Sequence, residues 1–337
     1  MLRPLVILGL FAASATLALA QDRPAKELFG AAQLPAEMPA QPIGFYSKGC
    51  MAGGIQLIPD GPYWQAMRLS RNRQWGLPIL VDFIQTLAKD VVEQDGWPGL
   101  LVGDMQQPRG GPMLTGHASH QVGLDADIWL TPMPSHRFSR QEREDISAVP
   151  VVEPGPHVVH EDIWTDAHGR VIRRAALDPR VERIFVAPGI KKKLCETMTG
   201  DRSWLSKVRP YYGHNYHFHV RLSCPPGTPC KSQSPPPPGD GCGSDLAYWY
   251  TNEPYKGADE PAGPQKQMML SDLPPSCRDV LEAPDQPGAL TMLQAFAAAA
   301  GEPIPAAVTP AMQAIDAAAP VDALETARLP RPRPDGF

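Results

Sequence analysis

One segment decides the fold that this sequence predicts: Gly213-His-Asn-Tyr-His-Phe-His-Val-Arg-Leu222. Polar and apolar side chains alternate from His217 to Leu222, which is the pattern of a β-strand with one buried face. Because side chains two residues apart point to the same face of a strand, His217 and His219 lie side by side. Two neighbouring imidazoles repel each other when both are protonated, and a shared metal ion removes that conflict.

A second segment supplies the other side chains of a candidate metal site: Gly116-His-Ala-Ser-His-Gln-Val-Gly-Leu-Asp-Ala-Asp-Ile-Trp-Leu130. Its alternation places Asp125, Asp127 and Trp129 on one strand face. His120 precedes Asp127 by seven residues, on the far side of a glycine-containing turn. One histidine and one aspartate from this segment, with one histidine from the first, make the three ligands of a tetrahedral zinc site with a position left for water.

Histidines are concentrated in these two segments, which hold five of the nine in the chain: His117, His120, His214, His217 and His219. A lone histidine is usually a hydrogen-bonded surface or core residue, but this clustering favours metal binding. A further group, His157-Val-Val-His160-Glu161-Asp162, fits neither the HExxH nor the HxxEH order of zinc peptidases. We interpret it as a solvated loop that leads into a helix.

The N-terminus has the features of a removable export signal. Arg3 precedes an apolar run from Leu5 to Ala20, which is short for the ~20 apolar residues of a membrane span. Residues 1–20 are therefore predicted to be a signal peptide, and the mature chain is expected outside the cytoplasm without stable membrane insertion. Loss of Arg3 takes the formal net charge from −5 to −6, which argues against nucleic acid as a partner.

Forty prolines and 29 glycines among 337 residues predict a loop-rich protein. Residues 75–92 have apolar side chains at helical spacing after Pro78, and another helix is expected at 179–186 or at 191–198. We predict an α+β fold in which a small central antiparallel sheet carries the metal site, flanked by helices and long loops. Residues 21–282 are expected to form one domain, and the Ala/Pro-rich residues 283–337 a flexible tail. The sequence does not determine whether the chain forms a homo-oligomer.

Six cysteines follow the signal peptide: Cys50, Cys195, Cys224, Cys230, Cys242 and Cys277. An even number in an oxidising compartment predicts disulfides. The alternative, a cysteine zinc site, is not favoured because the sequence has no Cys-x-x-Cys pair. The spacing alone leaves the pairing open.

The order of His120, Asp127 and His217-Phe-His219 resembles that of a group of zinc peptidases. This group includes D-Ala-D-Ala dipeptidases, metal-dependent D-Ala-D-Ala carboxypeptidases and hedgehog-like domains. Within it the chain resembles the penicillin-insensitive murein endopeptidases over roughly residues 28–281. The supporting stretches are 103–113, which begins Gly-Asp-Met-Gln-Gln-Pro-Arg-Gly-Gly, and 117–130, 183–186, 207–210, 217–225, 239–243 and 273–277.

The resemblance implies that zinc (Zn2+) is bound by His120, Asp127 and His219, with His117 as a further metal contact. Some members carry an aspartate for a second zinc ion at a position that is Pro154 here, which argues against a second metal site in this chain. The resemblance also implies a disulfide pattern: Cys50–Cys277, Cys195–Cys242 and Cys224–Cys230.

The same resemblance implies roles for other residues. His217 is expected to act as the general base, and His214 to assist the developing oxyanion or the leaving amine. Arg109 is expected either to meet a substrate carboxylate or to be an ordinary surface arginine.

The resemblance implies hydrolysis of the D-alanyl–meso-diaminopimelyl cross-link of peptidoglycan in the periplasm. Two alternatives keep the zinc site: a D-Ala-D-Ala carboxypeptidase of the same fold, and a cell-wall binding domain without turnover. The matching stretches outside the metal motif argue against the carboxypeptidase. The presence of His217 beside three candidate ligands argues against the binding domain.

Overall fold

The computed structural model describes residues 23–153, 157–256 and 267–289. The predicted signal peptide and most of the predicted tail, from residue 290 onward, lie outside the described residues. Within the described ranges, no helix combines the length and the apolar character needed to cross a membrane.

The first half of the described chain contains α1 (Ala25–Ala31), β1 (Gln41–Phe45), β2 (Lys48–Ala52), β3 (Ile55–Gln56), β4 (Trp64–Ala66), β5 (Trp75–Gly76), α2 (Pro78–Gln94), β6 (Leu100–Val102) and β7 (Asp125–Trp129). The second half contains α3 (Arg140–Asp145), α4 (Asp166–Leu177), β8 (Val181–Val186), α5 (Pro188–Thr197), β9 (Val208–Pro210), β10 (His217–Leu222), α6 (Ser244–Tyr248) and α7 (Ser276–Glu282). Helices and sheets occur together in one chain, so the predicted α+β class is confirmed.

The largest sheet has the strand order β4-β6-β7-β10-β8-β9. Its four inner strands are antiparallel to one another, while β4 joins β6 and β9 joins β8 in parallel. The expectation of an antiparallel sheet therefore holds only for the centre. Parallel neighbours need a crossover connection, and here α2 lies in the connection from β4 to β6 while α5 connects β8 to β9.

The long predicted helix begins at Pro78 rather than at residue 75, because proline suits the first helical position and Trp75–Gly76 forms β5. Of the two alternative positions for a further helix, 179–186 was wrong. Residues 181–186 form β8, whose side chains are almost all buried at the sheet, and the helix α5 spans Pro188–Thr197 instead. The main core packs α2 and α4 with the sheet.

A second, smaller core joins the two ends of the described chain, where residues of α1 pack with residues of β1, β2 and α7. The disulfide Cys50–Cys277 connects β2 with α7 across 227 residues of sequence. The other two disulfides are Cys195–Cys242 and Cys224–Cys230, so the structure has the three pairs that the resemblance implies. Residues 283–289 also contact the body, since the N–H of Gln286 donates to the carbonyl of Pro35.

Arg109 is hydrogen-bonded to α7 beside this second core, which corrects both expectations for it. Its side chain is only 4% exposed. The guanidinium donates to three carbonyl groups at the C-terminal end of α7 at 2.6–2.9 Å and pairs with Asp285 at 2.8 Å. Arg109 therefore caps a helix, where a cation stabilises the unpaired carbonyl groups, and it is neither a substrate ligand nor a surface residue.

We expect Arg109→Met to lower the free energy of unfolding by about 2–4 kcal/mol, because several buried carbonyl groups lose their donor. Urea unfolding with the disulfides intact measures the change. Arg278→Met on the same helix is the matched control. Arg278 is half-buried and its guanidinium lies 3.9 Å from Glu282, a weak solvent-accessible pair, so its loss should change stability by less than about 0.5 kcal/mol. Equal effects of the two substitutions would contradict the capping role.

Candidate metal centre

The register of the central strand pair brings the candidate site together. In the antiparallel pairing of β7 with β10, Asp127 lies opposite His219 and Asp125 lies opposite Arg221. Directly opposed side chains on one face of a sheet are within contact distance. The period-two interpretation of both segments thus places their polar side chains on the same face.

Three ligand atoms converge on this face, and we call their residues the metal triad: His120, Asp127 and His219. Asp127 Oδ1 lies 3.4 Å from His120 Nε2 and 3.3 Å from His219 Nδ1. The two nitrogens lie 3.0 Å apart. Bonds of about 2.0–2.1 Å in a tetrahedral metal site separate neighbouring ligand atoms by about 3.3–3.4 Å. The three atoms therefore have nearly the spacing of one face of such a tetrahedron.

The outer ring nitrogens of the two histidines are already engaged. His120 Nδ1 lies 2.7 Å from the carbonyl oxygen of Met105, and His219 Nε2 lies 2.9 Å from Asp125 Oδ1. Each outer nitrogen must donate its proton to that acceptor, so the inner nitrogens present lone pairs to each other. Asp127 Oδ1 is buried and has no hydrogen-bond partner among the described residues. Facing lone pairs beside an unpaired carboxylate oxygen fit a bound cation.

His117 adds a fourth donor beside the triad. Ligand atoms of His117, His120 and Asp127 lie within 4.8 Å of one another, so this group can hold a metal ion. His117 Nε2 lies 3.0 Å from Asp104 Oδ2, and Nδ1 lies 3.5 Å from Asp127 Oδ2. The contact with Asp104, which also pairs with Arg73 at 2.8 Å, leaves Nδ1 as the electron-pair donor toward the site.

Asp125 is the functional residue whose role the sequence did not indicate. It is fully buried, and its carboxylate accepts from Arg221 Nε at 2.7 Å and from the backbone N–H of His120 at 3.1 Å, in addition to His219. One carboxylate therefore orients both histidines of the metal triad, as outer partners of metal ligands commonly do. The available signal in the sequence was its place on the polar face of its strand, two residues before Asp127.

The turn before β7 needs an unusual backbone. His120 has φ of 62°, a left-handed conformation that the hydrogen bond of its N–H to Asp125 supports. Gly123 follows with φ of 84°, and a Cβ there would lie 2.5 Å from Met51 Sδ. Only glycine fits this position, because both the backbone angle and the close approach exclude a side chain.

The buried charges of the site stabilise one another. Burial alone would raise the pKa of Asp127, but the imidazoles of His217, His120 and His117 hold it well below its usual range. Burial opposes protonation of His120, yet the carboxylates of Asp127 and Asp125 outweigh it and raise the pKa of this histidine. An ionised Asp127 in this position is a suitable ligand for a metal cation.

His217 and His214 lie beside the triad as neutral imidazoles. Burial lowers the pKa of His217 to about 4 although Asp127 opposes this. His217 Nε2 lies 3.6 Å from Asp127 Oδ1, while Nδ1 is buried without a partner among the described residues. The His214 ring lies 4.9 Å from the His217 ring, and burial together with the neighbouring imidazoles holds its pKa well below the usual range.

Two other residues singled out from the sequence lie apart from the triad. Arg109 binds the end of α7, as described above. His157 stacks on Tyr255 at 5.4 Å between ring centroids, and its Nε2 lies 2.7 Å from the Tyr255 hydroxyl. The segment after His157 is a loop that leads into α4, as the sequence predicted.

A family model described as penicillin-insensitive murein endopeptidase matches residues 42–282. The chain belongs to this family. The resemblance inferred from the motifs is thereby confirmed. Family members with this name include a Haemophilus influenzae protein, 43% identical over 248 residues, which cover 73% of this chain and 84% of the relative. Others are from Klebsiella pneumoniae, 44% identical over 245 residues (72% and 86%), and Yersinia enterocolitica, 40% identical over 243 residues (72% and 86%).

We expect Asp125→Asn to weaken metal binding about 10- to 100-fold, because the amide cannot accept from all three donors that orient the two histidines. Titration of the purified chain with zinc against a competing chelator measures the affinity, and circular dichroism checks the fold. Asp95→Asn is the control, since Asp95 is also buried but pairs with Arg174 between α2 and α4. The positioning role fails if both variants bind zinc as tightly as the unchanged chain.

Proposed function

We propose that this family member is a zinc-dependent murein endopeptidase that hydrolyses D-alanyl–meso-diaminopimelyl cross-links in peptidoglycan. The observation that carries the proposal is the convergence of the metal triad beside the neutral imidazole of His217. The relatives reported above have murein endopeptidase as their name, which supports the substrate class.

His120, Asp127 and His219 would hold the zinc ion, and His117 Nδ1 is close enough to contribute. Two nitrogen donors and one carboxylate are a common ligand set of catalytic zinc, which keeps a further position for water or substrate. When bound, zinc supplies Lewis acidity toward the amide carbonyl and lowers the pKa of a coordinated water toward ~7.

His217 is the proposed general base. Its Nε2 faces the metal triad at 3.6 Å from Asp127 Oδ1, and its depressed pKa keeps the imidazole neutral and able to accept a proton. In this position His217 takes the proton of the attacking water and returns it to the nitrogen of the leaving amine.

The contacts of His214 favour one of its two expected roles. His214 Nδ1 contacts the carbonyl oxygen of Tyr212, so the ring proton resides on Nδ1. A neutral ring then has only an acceptor at Nε2, which can bind the N–H of a leaving amine but cannot donate to an oxyanion. We therefore assign His214 to the leaving-amine side of the reaction.

The cysteines support a metal mechanism outside the cytoplasm. All six are paired in disulfides, so none is a thiol nucleophile. Disulfides of this number fit an oxidising compartment, which agrees with the proposed export to the periplasm, where peptidoglycan is accessible. A hydrolase that needs no acylated serine is also consistent with the penicillin insensitivity in the family name.

The proposal predicts how purified sacculi respond to residues 21–337. We expect cross-linked dimers to decrease and monomers to increase, and we expect a chelator to abolish the change and zinc to restore it. A muropeptide profile by liquid chromatography measures both species. Unchanged dimers with shortened pentapeptide stems would indicate a carboxypeptidase instead, and an unchanged profile would indicate a binding domain.

Replacement of the general base gives a second test. We expect His217→Ala to lower kcat about 10²- to 10⁴-fold while zinc content stays unchanged, because the histidine moves a proton but is not in the triad. Steady-state kinetics with a purified cross-linked dimer and metal analysis measure the two quantities. His136→Ala, at an exposed histidine, should leave both unchanged. Equal activity of the His217 variant and the unchanged chain would refute its assignment as the base.

A further inference from the structure

The turn from β9 to β10 is held rigidly beside the metal centre. The N–H of Tyr211 donates to the carbonyl of Val186 at 2.8 Å, and the carbonyl of His214 accepts from Ala187 at 3.0 Å. Further along the turn, the carbonyl of Asn215 accepts from Val151 at 2.7 Å. Backbone hydrogen bonds to two separate parts of the chain, residues 186–187 and Val151, therefore fix the directions in which the side chains of this turn point.

Tyr211 lies at the edge of the site. Its ring packs edge-on against Phe185 and against His214, each at 5.7 Å between centroids. The same Phe185 ring lies 5.3 Å from His219 of the metal triad, and His214 lies 4.9 Å from the general base His217. The Phe185 ring thus lies between Tyr211 and the metal triad, and the His214 ring lies between Tyr211 and the base.

The Tyr211 hydroxyl differs from those of Tyr212 and Tyr250 in that it makes no hydrogen bond within the described part of the chain. Tyr212 donates its hydroxyl to the carbonyl of Pro254 at 3.0 Å, and Tyr250 donates to that of His157 at 3.0 Å. Within the part of the chain that the structure describes, the Tyr211 hydroxyl has no hydrogen-bond partner, and its oxygen is accessible to solvent.

The hydroxyl is available as a donor at neutral pH. Burial of the ring raises the pKa of Tyr211, so the phenol keeps its proton. The packing of the ring on Phe185 and His214 does not use the oxygen. A phenylalanine would make the same ring contacts, so the hydroxyl contributes little to the fold.

We propose that the Tyr211 hydroxyl binds the substrate, donating a hydrogen bond to a carboxylate or carbonyl oxygen of the peptide on the side of the site that His214 flanks. Binding sites of this kind combine apolar walls with a few fixed polar groups that orient the ligand. The aromatic rings of Phe185 and Tyr211 supply such a wall, and the hydroxyl supplies the polar group. The inference rests on the proposed peptidase function.

The experiment compares Tyr211→Phe with the unchanged zinc-loaded chain on a purified cross-linked muropeptide dimer. We expect kcat/KM to fall about 10-fold, the effect of one lost hydrogen bond, mainly through a higher KM. The zinc affinity and Tm should not change. A value of kcat/KM within twofold of that of the unchanged chain overturns the proposal.

Tyr212→Phe is the matched control, because it removes the hydroxyl of the neighbouring tyrosine, which is bound to Pro254 within the protein. We expect the opposite pattern: Tm falls by about 2–4 °C while kcat/KM stays within twofold. The same kinetic loss in both variants would mean that Tyr211 acts only through the structure of the turn, which overturns the proposal.

A binding measurement separates this inference from the proposed function. In the His217→Ala background, calorimetry gives the affinity for the uncleaved dimer with and without Tyr211→Phe, and we expect about 10-fold weaker binding in the double variant. If the unchanged chain binds dimers without cutting them, the proposed function fails. Weaker binding of the dimer by the double variant than by His217→Ala alone would still support the role of Tyr211. Equal affinities refute the role of Tyr211 whether or not the chain is active. A dimer in which the free carboxyl groups are replaced by hydrogen identifies the acceptor, since the effect of the substitution then persists only if the acceptor is a carbonyl group of the peptide.

Discussion

A single buried carboxylate, that of Asp125, is the constraint on which the site depends. A charge taken out of water is costly unless it is paired and hydrogen-bonded. Asp125 meets this requirement with three donors: the Arg221 guanidinium, the ring of His219 and the backbone N–H of His120. Because these donors come from a strand and from the preceding turn, the same contacts that stabilise the charge also fix both histidines of the metal triad.

Arg221, the cation that pairs with Asp125, is fixed by aromatic rings and by a hydrogen bond of its own. The Arg221 guanidinium lies over the ring of Tyr46 at 4.1 Å and over that of Phe185 at 5.1 Å, and it donates to Gln233 at 3.0 Å. Arginine suits such a position because its planar group stacks on aromatic rings while it donates in its plane. The row of buried charges behind the metal triad is therefore stabilised by packing as well as by ion pairing.

The rest of the fold holds this strand pair in place. The crossover units through α2 and α5 add a parallel strand at each edge, so β7 and β10 remain in the interior of the sheet. The ends of the described chain are joined by Cys50–Cys277 and by the capping contacts of Arg109. Closing so long a loop removes conformational freedom from the unfolded chain, which stabilises the folded state.

The sequence by itself determined the strand face of His217 and His219, the face of Asp125 and Asp127, and the family, because these follow from local periodicity and from short motifs. Only the tertiary structure decided what Arg109 and Asp125 do and that the sheet is mixed. Three of the partners of Arg109 are backbone carbonyl groups more than 170 residues away in sequence, and such groups have no residue pattern. Asp125 was visible as a strand residue, but its three donors were not, since they meet only when β10 pairs with β7 in one register. Alternation is encoded locally by side-chain polarity, whereas hydrogen bonds between distant segments depend on how the whole chain packs.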